Sequence, residues 1–539
     1  MGTRPGRATL FIWILAILLT SGSLALLPAT PIRASGSAAP PGPDRVAAIT
    51  VEYTAYEWWM ATWTRNKVVC AIIVDHEGQP TLGEVYRDCD QTVYNTWKNQ
   101  KPCVDNVCTG YYLFLVDTRK SQREITVTLP PPSVWLSLQD CSTVTRSGTT
   151  ICESTPVLIL QGEEPLPNEH ILRIEGTMDG KPFTCDPTCK LRLAPTDDNG
   201  VRLEFWAWSS YGDSSQVFTA QVRVAIAAEN NPDEYSWYVD VLSSQWKGVH
   251  IASCSETWDS FPPVGGPPDW LSTPQDAADL NSDIPYNYLS ANLILQGAVD
   301  ASGCPDGGLL PDGGANQCGQ EAARPAVDEW QNQFDTLIMN TAGETGVPAQ
   351  LLKNLFARES QFWPGIFKAS PDAGLGQLTE NGADTALLWN PSFFGQYCPL
   401  VLSSKACSKG YLHLKEEDQQ MLRQALVSTV NASCENCPLG IDLSQANFSV
   451  SVFAHTLLAN CEQAGQVIYN VLRQSPGDVA SYEDLWKFTL VNYNAGPGCL
   501  TLAVDDTWAA EHVLTWDALS SHMTEVCAPA KDYVNDISQ

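Results

Sequence analysis

The chain has 539 residues, with 61 acidic and 31 basic side chains, a formal net charge of −30 and 18 cysteines. That length exceeds what one core supports and implies several units. Such acidity repels phosphate backbones, which argues against nucleic acid as a partner and against simple electrostatic adhesion to anionic lipids or wall polymers, and the cysteine count fits a disulfide framework in an oxidising compartment.

Residues 1–34 read as a secretion signal: Arg4 and Arg7 precede the apolar run Ala8 to Leu27, and Ser23-Leu24-Ala25 and Ile32-Arg33-Ala34 offer small-x-small cleavage sites. The run is also just long enough to span a bilayer, so an uncleaved N-terminal membrane anchor is the alternative. Either reading places the protein outside the cell or in its envelope. Residues 35–45, rich in Ser, Ala, Gly and Pro, form a tether.

Two β-rich modules are expected next, at 46–152 and 153–229. Ile49 to Thr54 and Ile125 to Leu129 alternate apolar and polar residues in the first. The second has runs at Pro156 to Leu160, Ile171 to Ile174, Lys190 to Leu193, Val201 to Phe205 and Phe218 to Val224. Asp198-Asn199-Gly200 lies between two of them and signals a hairpin, because Asn-Gly accepts positive φ. Short strands at this spacing suggest an immunoglobulin-like sandwich. The aromatics Trp58, Trp59, Trp63, Tyr111 and Tyr112 favour a core or packing edge over a glycan-binding face. Along Phe205 to Trp208, alternation puts Trp206 and Trp208 on one face.

Residues 230–325 read as a Pro/Gly-rich connector, with Phe261 to Pro268 and two Pro-Asp-Gly-Gly turns. These turns lack the spaced carboxylates of a calcium loop. Only Cys434-Glu-Asn-Cys437 has CxxC spacing, and nothing completes a zinc site, so neither metal nor cofactor is expected. Cys103 with Cys108, Cys185 with Cys189, Cys304 with Cys318 and Cys398 with Cys407 are plausible local disulfides.

From residue 326 to 539 the periodicity is helical. Trp330, Phe334, Leu337 and Ile338 make one stripe, and Phe453, Leu457, Leu458 and Cys461 another. Between them, Val347-Pro348 suits a helix start. Leu352, Leu355, Phe356 and Glu359 then share one helical face, while Lys353, Asn354 and Arg358 point elsewhere. Glu359 is the one carboxyl on that apolar face. It lies near the helix end enforced by Trp363-Pro364, where desolvation and the negative end of the dipole both raise a carboxyl's pKa. A Glu in a last turn is more often a solvated surface residue, so the surrounding sequence matters. Gly374-Leu375-Gly376-Gln377 is a turn that lets backbone approach a ligand. Asn492-Tyr493-Asn494-Ala495-Gly496-Pro497-Gly498 places an aromatic-amide pair at a helix stop.

Glu359-Ser360, Gly374-Leu375-Gly376-Gln377 and Tyr493 to Gly498, in this order, resemble the lytic transglycosylase SLT family, of goose-lysozyme-like fold. The resemblance covers roughly Asp328 to Cys527. It departs from the family pattern at Gly376, where Met is usual, at Asn492, where Ala is usual, and in the long cysteine-rich stretch from Asn381 to Asn447. The chain is thus expected to be multidomain: the β-rich, immunoglobulin-like region read from its strands precedes a C-terminal all-α domain, which the resemblance implies is lysozyme-like. It implies peptidoglycan glycan strands as partner, Glu359 as the catalytic acid and base, and Ser360, Gly374, Leu375, Gln377, Tyr493 and Asn494 as substrate-binding residues. The product would be a 1,6-anhydromuramyl end. A lysozyme-type hydrolase, which needs a second carboxylate such as Asp372, Glu380 or Asp384, and an inactive glycan-binding scaffold are the competing expectations.

Overall fold

The computed structural model describes residues 45–101, 103, 108–144, 149–228, 235–248, 251–282, 286–365 and 372–539. The expected signal or anchor and most of the tether lie outside them. The chain from Asp44 to Gln539 is one compact unit, β-rich first and helical after.

The β-rich part begins with an arm. Strand β1 (Val46–Thr62) pairs antiparallel with β3 (Tyr111–Thr128) along its whole length, and β2 (Val68–Val74) joins only at Tyr56 to Ala61. Two short helices, α1 (Leu82–Asp88) and α2 (Gln91–Lys98), close over one face of the far end. The alternation of β1 and β3 does not announce these helices. Their start signals are local: Thr81 and Glu84 form a capping box, and Asp90 caps α2. At the near end Arg45 is almost fully buried. It ion-pairs with Glu164 at 2.7 Å and Asp213 at 2.5 Å and donates to the Pro130 carbonyl at 2.6 Å.

Beyond the arm, β4 (Ser133–Val144), β5 (Thr149–Glu163), β6 (Ile171–Met178), β7 (Lys181–Cys185), β8 (Thr188–Arg192), β9 (Val201–Ser209), β10 (Phe218–Ala228) and β11 (Tyr235–Leu242) form one eight-stranded sheet. Its order is β4-β5-β11-β10-β9-β6-β7. β5 runs through the expected module boundary at 152/153. Its first part pairs with β11 and its later part with β8, so the sheet curls around a core of Leu136, Leu158, Leu203, Phe205 and Val222. Every run expected as a strand overlaps one, with Leu129 and Leu193 falling just past the ends of β3 and β8, but the hairpin at Asp198-Asn199-Gly200 does not form. The turn exists, with Gly200 at φ 73° and its amide bonded to Asp197 O, yet β8 pairs with β5 while β9 pairs with β6 and β10. A Cβ at Gly200 would lie 2.7 Å from the Val222 carbonyl, so close approach to β10, not a hairpin, explains the glycine.

The expected connector is not a tether. Phe261 is buried beneath the guanidinium of Arg223, which pairs with Asp240 at 2.6 Å and donates to the Pro262 carbonyl. Trp258, Trp270, Leu271, Leu289 and Leu293 join the helical core. The Pro and Gly residues shape loops that carry these anchors, and apolar burial outweighs loop composition. The helices are α3 (Cys254–Trp258), α4 (Asn287–Leu295), α5 (Gln317–Asn332), α6 (Asp335–Thr345), α7 (Ala349–Ser360), α8 (Glu380–Trp389), α9 (Pro391–Val401) and α10 (Ser404–Cys407). There follow α11 (Glu416–Val430), α12 (Leu443–Leu472), α13 (Pro476–Val479), α14 (Tyr482–Glu511), α15 (Trp516–Ser521) and α16 (Pro529–Ile537). α5 starts before residue 326, capped by Asn316, and carries Pro325 inside it. α14 does not stop at Tyr493. It breaks at Gly496, φ 80° and ψ 169°, and resumes to Glu511.

All 18 cysteines form disulfides. The four expected local pairs are among them, and Cys434 bonds Cys437. This density fits an extracellular protein. Cys254–Cys461 ties α3 to the middle of α12 across 207 residues. Among the described residues no helix is long and apolar enough to cross a membrane.

Candidate active site

α7 is the central element. Pro348 precedes its first residue without a side-chain cap, and Leu352, Leu355 and Phe356 are fully buried, each worth about 1.5–3 kcal/mol. Lys353, expected off this face, is also fully buried. Its ammonium donates to Asp335 at 2.6 Å and Asn332 at 3.1 Å and lies over the Phe362 ring. A helix inside a core buries more than one face, and a buried Lys persists only when paired.

The helix ends at Gln361 and Phe362, two consecutive non-glycine residues with φ of 50° and 61°. Backbone of this kind is held by its surroundings. The Gln361 side chain accepts from the Tyr288 and Leu289 amides and donates to Asn287, and so caps α4. Phe362 is buried against Phe334 and Phe356, and its carbonyl accepts from Trp330 Nε1 at 2.9 Å. The last turn of α7 is thereby fixed.

Glu359, in that turn, is partly accessible. Its Oε1 accepts a 2.6 Å hydrogen bond from the Tyr533 hydroxyl of α16. Burial raises its pKa to about 7. The Tyr533 bond and the Arg358 charge oppose the rise, and the negative charge of Asp372 adds to it. Glu359 in turn pushes the phenols of Tyr533 and Tyr493 up, adding to the larger effect of burial. Arg358 pairs with Asp536 at 2.7 Å, and its guanidinium lies over the Tyr533 ring. α7 and α16 are therefore joined side by side. Tyr533 was missed in the sequence because it lies 174 residues beyond Glu359 and outside any motif.

The glycine turn is pinned on both sides. The buried Ser360 hydroxyl donates to Leu375 O at 2.7 Å from the end of α7. The Tyr493 hydroxyl donates to Gly376 O at 2.7 Å from α14. The three sequence motifs thus meet. Gly374 has φ 81°, and a Cβ there would lie 2.9 Å from Val430 O. Gln377, at φ 52°, folds its amide back onto Gly374 O at 2.7 Å. At Gly376 a Cβ would lie 2.4 Å from the Phe453 ring, so Phe453 of α12 fills the space a side chain would need. Leu375 is buried and shapes the turn from behind, whereas Asn494 is exposed. Asn492 is buried and donates to Asn460 at 2.8 Å and Gln463 at 2.9 Å, which locks α14 to α12.

Of the other carboxyls, Asp384 is held by Tyr411 at 2.6 Å and Arg423 at 3.1 Å, and Glu380 accepts from Gln424 at 3.4 Å. Among the described residues no three His, Cys, Asp or Glu side chains cluster as metal ligands. A polar cavity of about 760 Å³ flanks α7 at Gln350, Asn354 and Arg358, away from the Leu352–Glu359 face. Chemically, the site offers a carboxyl that changes protonation near neutrality, with phenols beside it and a rigid turn. Comparison of the chain with known protein families, curated proteins and solved structures yields no match.

Proposed function

We propose that the helical region is a lysozyme-like catalytic domain acting as a peptidoglycan lytic transglycosylase. The observation that carries this reading is Glu359. It is a partly accessible carboxyl with its pKa near 7, set where the Glu-Ser, Gly-Leu-Gly-Gln and Tyr-Asn-Ala-Gly motifs converge. A carboxyl with this pKa is protonated and deprotonated with similar ease near neutral pH, which suits an acid that must next act as a base. Protonated Glu359 gives its proton to the oxygen between N-acetylmuramic acid and N-acetylglucosamine, and the bond from that oxygen to C1 breaks. The muramyl C6 hydroxyl then attacks C1 and returns its proton to Glu359, closing a 1,6-anhydro ring without consuming water. Tyr533 holds the carboxyl in place. Ser360 and Tyr493 hold the turn; the resemblance assigns sugar contacts to Gln377, whose amide nitrogen is held by the Gly374 carbonyl, and to the exposed Asn494.

Lysozyme-type hydrolysis is the second reading. It is favoured by Asp372, whose charge is felt at Glu359. Digestion of purified peptidoglycan in isotopically labelled water separates the two. Mass spectrometry should find anhydromuramyl ends without solvent oxygen, absent with Glu359→Gln. Reducing ends carrying labelled oxygen would establish the hydrolase. No fragments from the native protein would refute both.

A further inference from the structure

The arm carries a surface that catalysis does not use. From Val46 to Ala55, β1 pairs with β3 alone. These ten residues, at about 3.4 Å each, span about 34 Å. A bare two-stranded ribbon contributes little stability. Arg45, buried between Glu164 and Asp213, fixes its base to the sheet.

The tip has two unlike faces. On the inner face Trp58, Met60, Tyr111 and Leu113 pack with Val85 and Val93 of the two helices. The intervening residues of the same strands make the outer face. There Trp63, Tyr112, Phe114 and Trp59 form a run of rings at centroid separations of 4.5, 5.7 and 6.1 Å. Val68 and Ile73 extend it on β2. Trp63 is 42%, Val68 39%, Ile73 43% and Phe114 36% exposed. A contiguous exposed apolar face of this kind marks an interaction site.

Charge selects the occupant. The chain's overall charge of −30 opposes adhesion to anionic surfaces, but the tip departs from it: the stretch from Met60 to Val74 holds Arg65 and Lys67 and no carboxylate, and Gly110 to Val116 is uncharged. Glu57, at the inward end of the same face, accepts from Trp59 at 2.8 Å and is neutralised by Arg119 at 3.3 Å. Lys98 lies on the helix over the inner face, above the Tyr94 ring, so Arg65 and Lys67 are the cations beside the outer rings. Aromatic rings beside basic residues suit the interface of an anionic bilayer, where rings sit at headgroup depth and Lys and Arg meet lipid phosphates. A sugar platform fits less well. The Tyr112 and Phe114 rings stack on one another, and Val68 and Ile73 give hydroxyls no partner. We propose that the outer face of the arm tip docks on anionic phospholipid.

The test uses the chain from Asp44 to Gln539, the compact unit without the apolar run, in vesicle flotation. It should bind vesicles of phosphatidylglycerol and phosphatidylcholine, bind pure phosphatidylcholine far less, and release as salt rises. Trp63→Ser with Phe114→Ser should weaken binding about tenfold or more. Arg65→Glu with Lys67→Glu should weaken it independently. All four side chains are exposed, so folding should survive, which circular dichroism checks. Glu359→Gln should bind as the native unit does, separating this surface from the catalytic reading. No binding to anionic vesicles, or binding unchanged in both double variants, overturns the proposal. So does finding that the aromatic pair instead controls binding to insoluble peptidoglycan, or self-association in sedimentation velocity.

Discussion

Replacing Glu359 with Gln tests the electrostatics of the site without any substrate. The folded carboxyl titrates at about 7 against an ordinary 4.5, chiefly because burial disfavours its charge. The folded chain therefore binds this proton more tightly than the unfolded chain. Below about pH 4.5 both states hold it and the group is neutral to stability. Between 4.5 and 7 the unfolded chain ionises first, so the folded state loses stability, and above 7 the loss is constant. A shift of 7 − 4.5 = 2.5 units, at about 1.36 kcal/mol each, sets a ceiling of about 3.4 kcal/mol. Partial exposure of the side chain lowers this to about 2–3 kcal/mol. Glutamine keeps an acceptor for Tyr533 and carries no charge. Glu359→Gln should thus gain about 2–3 kcal/mol at about pH 8 and almost nothing near pH 4. Thermal unfolding without reductant should raise the melting point of the helical part by about 5–10 °C at the higher pH only. An equal effect at both pH values, or a loss at the higher one, would refute the desolvation argument.

Three further outcomes are expected. Gly376→Ala should destabilise the helical part by about 1–3 kcal/mol through the clash with Phe453. Adding Phe453→Leu should recover part of that in chemical denaturation if the two residues share one space. Lys353→Met should cost about 3–5 kcal/mol by leaving Asp335 buried and unpaired. The double variant with Asp335→Leu should cost less than either single change, and strictly additive effects would sink the paired-charge account. Arg45→Ala should leave Glu164 and Asp213 facing each other at the base of the arm. Limited proteolysis should then cut between Val46 and Ala55 sooner than in the native chain, and an unchanged digestion pattern would show that Arg45 does not fix the arm.

What was legible in the sequence was local. Alternating runs such as Val201 to Phe205 became strands, because apolar side chains at period two must share one face. The four expected disulfides close loops of 4 to 14 residues, where proximity in sequence nearly ensures proximity in space. Glu359 stood out because three apolar neighbours share its helical face, and that same desolvation raises its pKa. Tertiary structure decided whatever depends on distant partners. Cys254 meets Cys461 across 207 residues, and Tyr533 reaches Glu359 across 174. Lys353 looked like a surface residue until Asp335 paired with it. The hairpin at Asn199-Gly200 did not form because β8 pairs with β5, while β9 pairs with β6 and β10. The Pro/Gly-rich stretch packed because Trp258 and Trp270 found a core to enter. Gly376 had no visible reason until Phe453 was placed against it. Periodicity and turn chemistry act over a few residues, while pairing of buried charge and filling of space are settled only when the whole chain closes.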